Sequence, residues 1–166
     1  MEISRPDKKT VVLSRLDLFF VELLRQIPVS ADPQENPDAL KRLFTHPADP
    51  VREPDACAEW KLYVEPELHR IFDSANKTVS TDLKRFEEKK TKGGTGYSLR
   101  IPVGHLDEWL NSLNQARLSL ASRFEFTEKE MEARAPRNLE SVRDLSLMQI
   151  HFYGFLQEVF LRELRG

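Results

Sequence analysis

Apolar residues recur along this chain mainly at helical spacing. Leu16, Phe19, Phe20, Leu23, Leu24 and Ile27 form a stripe that predicts an amphipathic helix. Ser14 and Asp17 precede it in a capping-box pattern, and Pro28 is expected to stop it. Trp60, Tyr63 and Val64 predict a helix that restarts near Pro54 and is kinked or broken at Pro66. Leu68, Ile71, Phe72, Val79, Leu83 and Phe86 carry the pattern on into the polar run Glu87 to Lys92. Leu106, Trp109, Leu110, Leu113, Leu120, Ala121 and Phe124 trace another stripe. Thr127 and Glu130 form a second capping box, before a short polar helix that Pro136 ends.

The last helix is expected from about Leu139 to Leu164. Its apolar residues cover most of its circumference, which normally means burial on all sides. Two outcomes stay open: it is the central helix of a bundle, or its outer face, around Phe152, Phe155 and Phe160, meets a partner chain.

Two short runs have strand character, Val11 to Leu13 and Ser98 to Val103. Isolated strands leave backbone groups unpaired, so these two are expected to pair. The expected fold is therefore all-α, a helical bundle of about five or six helices with a minor two-stranded β element. Residues 1–166 form a single domain, and residues 29–54 form a proline-rich loop. Within that loop one short helix fits, with Asn36 as cap, Pro37 at the first position and Leu40, Leu43 and Phe44 facing inward.

Composition narrows the class. The chain has 166 residues, enough for one core without covalent staples. The single cysteine, Cys57, cannot form an internal disulfide, and the charged start Met1 to Thr10 has no apolar signal-peptide segment. No run reaches the roughly 18 apolar residues that span a bilayer. A cytoplasmic location is expected. Net charge is −2, without the basic excess of a non-specific nucleic-acid binder. Lys84 to Lys92, the richest basic stretch, is interrupted by Glu87 and Glu88 and reads as the solvated end of a helix.

Candidate chemistry is sparse. His46, His69, His105 and His151 are scattered, and His69 with Asp73 four residues on falls short of a metal site, so neither metal nor cofactor is expected. Lys92 to Gly96 has the glycines of a phosphate loop in the wrong order. It reads as a helix C-cap and turn before a strand. Cys57, between two alanines, reads as a small apolar side chain. Asn114 and Arg117 stand out because Arg117 falls on or beside a core stripe, where a guanidinium is costly unless paired. Gln149, Asp144, Glu158 and Glu59 are its candidate partners. Either Asn114, Arg117 and Gln149 form a polar network that fixes helix register, or they line an anion site between helices.

The stretch from Leu113 to Phe124 resembles the signature of an uncharacterised bacterial family, the domain-of-unknown-function family numbered two thousand and seventeen. Asn114, Arg117 and Arg123 match its pattern. Gln115, Ala121 and Phe124 stand where the family has aspartate, glycine and leucine. Arg42-Leu43-Phe44, Glu59-Trp60-Lys61 and Leu147-Met148-Gln149 add weaker similarity. The resemblance implies no activity. It does imply a link to regulated proteolysis, through the gene neighbourhood that actinobacterial members share with the ClpS adaptor. The reading from sequence is a non-enzymatic interaction or regulatory protein that binds a protein partner or a second copy of itself. The alternative is a small-molecule or anion-binding protein, or an enzyme, with its pocket at Asn114 and Arg117.

Overall fold

The computed structural model describes residues 1–33, 37–91 and 93–165. The expected cap Asn36 and residue Lys92 lie outside the described residues. The chain is α+β, not all-α. A four-stranded antiparallel sheet, in the order β1-β2-β4-β3, carries a layer of helices. Its strands are β1 (Glu2–Asp7), β2 (Thr10–Leu16), β3 (Glu87–Thr91) and β4 (Gly94–Pro102).

The expected pair forms the centre of this sheet, with Val11 opposite Ile101 and Leu13 opposite Leu99. Those four side chains are buried, and Val12 and Arg100 point to the other face. The two additional strands are its edges. β1 (EISRPD) and β3 (EEKKT) carry almost no apolar side chains, so hydrophobic patterning does not reveal them. Charge is a common device for keeping edge strands from pairing with other chains. The polar run after Phe86 is thus a strand, and Gly94, at φ +123°, belongs to a β-hairpin turn instead of a helix cap.

The pairing of β2 with β4 shifts register between Leu13 and Leu16, and Arg15 in that interval has φ 51°. This irregularity turns the chain into α1 (Leu18–Ala31). Its cap is Asp17, which accepts a hydrogen bond from the Phe20 amide at 3.0 Å, while Ser14 stays in β2. Pro28 does not stop α1. It sits in the last turn, which Ile27, Ser30 and Ala31 hold through burial.

Next come α2 (Pro37–Leu43), α3 (Pro54–Tyr63) and α4 (Glu65–Asp82), with Pro66 in the first turn of α4, where a missing N–H does no harm. After the sheet's second half follow α5 (Leu106–Arg123), α6 (Glu128–Glu132) and α7 (Val142–Arg165). Both hydrogen bonds of the Thr127–Glu130 capping box are present.

The central helix is α5, not α7. It packs against α1, α2, α4 and α7. Its stripe of Leu106, Trp109, Leu113, Ala116 and Leu120 is buried, and so is a second row of Ser112, Gln115 and Ser119. Small polar residues on that row let α5 be enclosed without being apolar all round. α7 covers one side of α5, with Trp109 edge-on to Phe160 at 5.9 Å.

Candidate functional site

Arg117 lies between α5 and α7 and is half-buried. Its Nη1 donates to Gln157 Oε1 at 2.6 Å, and Gln157 Nε2 donates back to the Leu110 carbonyl at 3.4 Å. The partner is therefore Gln157, none of the four candidates expected from sequence, though Glu158 acts on it through its charge. The guanidinium is stacked close to Gly154: a Cβ placed there would lie 3.4 Å from Arg117 Cζ. Burial pulls the Arg117 pKa down, and Glu158 opposes that. One turn before Gly154, His151 is pushed below the usual histidine range, first by burial and then by the Arg117 charge. Arg117 Nε and His151 Nε2 have no hydrogen-bond partner among the described residues.

The other expected members of this site lie apart. Asn114 is exposed. Gln149 is buried and donates to Tyr153 Oη at 3.3 Å, and Tyr153 in turn donates to the Leu23 carbonyl at 2.9 Å. That chain of bonds ties α7 to α1, and burial holds the Tyr153 phenol well above its ordinary pKa. The three phenylalanines do not share a surface either. Phe152 and Phe160 are core residues, and Phe155 alone is exposed, at 44%.

Three features escape pattern reading. The first is a polar cluster at the start of α5. Asp82 is wholly buried, and its carboxylate accepts from His105 Nδ1 at 2.9 Å and from Trp109 Nε1 at 3.0 Å. Arg85 stands 3.7 Å away. The acceptor-only carboxylate sets the histidine tautomer, with the proton on Nδ1. His105 and Asp82 are 23 residues apart in sequence, so spacing offers no hint of the pair.

The second is an apolar groove of about 380 Å³ between α1, the end of α5 and the start of α7, lined by Phe19, Leu23, Val29, Phe124, Val142 and Leu145. Phe19, expected to face inward, is 43% exposed, and Val29 and Val142 are 62% and 70% exposed. The signal available in sequence was apolar residues falling off the core stripe, such as Leu18 beside Phe19.

The third is a cleft of about 620 Å³ bounded by α2, the segment after it, α3 and α4. His46 and His69 both line it. His69 stacks on Phe44 at 3.8 Å between centroids, with Nε2 3.9 Å from Glu65, and His46 packs on Trp60 at 5.1 Å. Behind the Phe44–His69 stack is a smaller, more polar cavity of about 260 Å³, which Asp73 and Gln115 help to line. Gln115 is almost wholly buried, and its Nε2 has no partner among the described residues. Cys57 is buried near this region, 3.3 Å from the Ala48 carbonyl. No group of three or more His, Cys, Asp or Glu among the described residues is placed to hold a metal. No described helix is long and apolar enough to cross a membrane.

A family model described as "Domain of unknown function (DUF2017)" matches residues 6–164. No curated protein and no solved structure matches the chain.

Proposed function

Because the chain belongs to this DUF2017 family, whose description states no activity, we propose a function from the geometry: it is an interaction protein whose contact surface is the apolar groove between α1 and α7. The observation that carries this reading is the exposure of Phe19, Val29 and Val142 around one concavity. Single exposed apolar side chains are ordinary, but a contiguous group lining a groove is characteristic of a partner site. The occupant that fits is an apolar segment of another protein, with polar groups able to meet Glu22 and Arg123, which also line the groove.

This relocates the interface from the surface expected on α7. Phe152 and Phe160 are committed to the core, which leaves Phe155 without apolar neighbours from that trio. Regulated proteolysis is the process to search first, on the strength of the gene neighbourhood implied by the family resemblance.

The test is titration of labelled protein with purified ClpS adaptor, beside crosslinking in a lysate of the native organism read by mass spectrometry. Val142→Glu places a charge in the groove at an exposed position and is expected to weaken the contact at least about tenfold, through loss of apolar burial. Phe155→Glu is expected to leave it unchanged. Loss of the same partner through Phe155→Glu but not Val142→Glu would overturn the assignment of the surface. If light scattering shows a dimer that only Val142→Glu dissociates, the partner is a second copy.

A further inference from the structure

We propose that the cleft bounded by α2, α3 and α4 binds a medium-sized organic anion, an apolar body carrying one carboxylate. This is a site separate from the groove between α1 and α7, and it does not depend on the reading of that groove. At about 620 Å³ the cleft falls within the range of small-molecule pockets. Such pockets combine apolar walls with a few convergent polar groups, and this one does the same. Leu40, Phe44, Ala48 and Pro50 supply apolar surface.

The polar groups favour an anion. Lys41 reaches the cleft from α2 and Lys61 from α3, and neither forms an ion pair with a described residue. The carboxylate in the lining, Glu65, faces His69 instead, at 3.9 Å. Two lysines from different helices thus line one opening, whose carboxylate faces a histidine. His46 also lines the cleft and carries an unsatisfied polar atom. Its Nδ1 is shielded from solvent and has no hydrogen-bond partner among the described residues. Buried polar atoms are normally paired, and an unpaired one calls for an explanation. A turn of the imidazole toward the cleft would let that nitrogen donate to a ligand carboxylate.

The aromatic part of the lining favours a flat or extended apolar body. Phe44 and His69 are nearly parallel, at 21°, and present ring surface to the cleft. The ligand is therefore a short aliphatic or aryl-alkyl acid. A sugar or a nucleotide is a poor fit, because either would leave hydroxyls against these walls.

The protein carries its own reporter. Trp60 packs on His46 at 5.1 Å, and the other tryptophan, Trp109, is fully buried against Phe160. Octanoate, 4-phenylbutyrate and the neutral control 1-octanol would be titrated into the whole protein, with calorimetry and tryptophan emission read in parallel. The expected result is saturable binding of both acids below about 1 mM, with an emission change that Trp60→Phe abolishes. Lys61→Met is expected to weaken both acids at least tenfold and to leave octanol unchanged. Val142→Glu, in the other groove, is expected to change nothing.

Three results would overturn the proposal. One is the absence of both heat and emission change with either acid. Another is equal affinity for octanoate and octanol. The third is acid binding that survives Lys61→Met but falls with Val142→Glu. Circular dichroism of each variant beside the wild type separates lost binding from lost folding.

Discussion

Two polar clusters hang on the same helix and differ in one respect. At the start of α5, Asp82 is wholly buried yet has good partners: His105 and Trp109 both donate to its carboxylate. Further along α5, Arg117 is only half-buried, yet it has one neutral partner, Gln157, and leaves its Nε unpaired beside an unpaired His151 nitrogen. Depth of burial therefore does not rank these charges by their cost. The number and quality of partners does, because a buried polar atom is expensive chiefly when it has lost water and gained nothing. The first cluster joins α4 to α5 as a closed unit. The second joins α5 to α7 loosely.

The largest expected effect is on the first cluster. Asp82→Ala leaves the Trp109 indole N–H, in the core, without an acceptor and frees His105. Leaving a buried donor unsatisfied typically costs about 1–3 kcal/mol. Urea unfolding should show a loss near that range. The matching change in the second cluster, Arg117→Met, keeps the packed stem and removes a poorly paired charge, so its expected cost is under about 1 kcal/mol. Equal losses from the two substitutions would break the comparison.

An intermediate effect is expected at Gly154, where the two helices approach around the guanidinium. Alanine is favoured over glycine in a helix interior by about 1 kcal/mol. Here the new methyl would lie 3.4–3.5 Å from Cζ, Nε and Nη2 of Arg117, an ordinary van der Waals contact that asks no movement of the side chain. Gly154→Ala should therefore stabilise the fold to a similar extent with the guanidinium present and in the Arg117→Met background. A double-mutant cycle from thermal or urea unfolding should give a coupling below about 0.5 kcal/mol. A larger coupling would mean that the methyl and the guanidinium crowd each other.

What could be read from sequence follows from whether the determining interactions are local. The Thr127–Glu130 box was legible because both partners lie within one turn. The central strand pair was legible because Val11, Leu13, Leu99 and Ile101 are apolar and β-branched or aliphatic. β1 and β3 were not, since an edge strand with both faces near water needs no apolar alternation, and its identity comes from backbone pairing with a neighbour. The position of α5 was also hidden. A helix enclosed by four others was expected to be the most apolar one, yet its second buried row is Ser112, Gln115 and Ser119, which reads as a solvated face. Arg117 was correctly singled out as lying beside the core, but its partner could not be chosen, because Gln149 and Gln157 differ by eight residues on α7 and only the register of two packed helices decides between them. Asp82 and His105 offered no signal at all. Each looks ordinary until α4 and α5 are brought together.

The smallest effect concerns His151 and is a matter of pH. Burial and the nearby Arg117 charge both hold its folded-state pKa below the usual value. In the unfolded chain the imidazole takes up its proton near pH 6.5, while in the folded chain it resists protonation until a lower pH. Between those two values the unfolded state binds more protons, so stability falls as pH is lowered through that window and levels off below the folded pKa. Above about pH 7 both states are neutral and the residue contributes no slope. Because His151 is partly exposed, the drop is expected to be small. His151→Gln should flatten the stability profile on the acid side of neutrality and leave the alkaline side unchanged. Arg117→Met should raise the folded pKa of His151, measured by NMR titration of the imidazole, and narrow the window without closing it, since the burial contribution is the larger and remains. If the pKa does not move in that variant, the two side chains are independent, and the second cluster is a pair of separately buried groups instead of one coupled site.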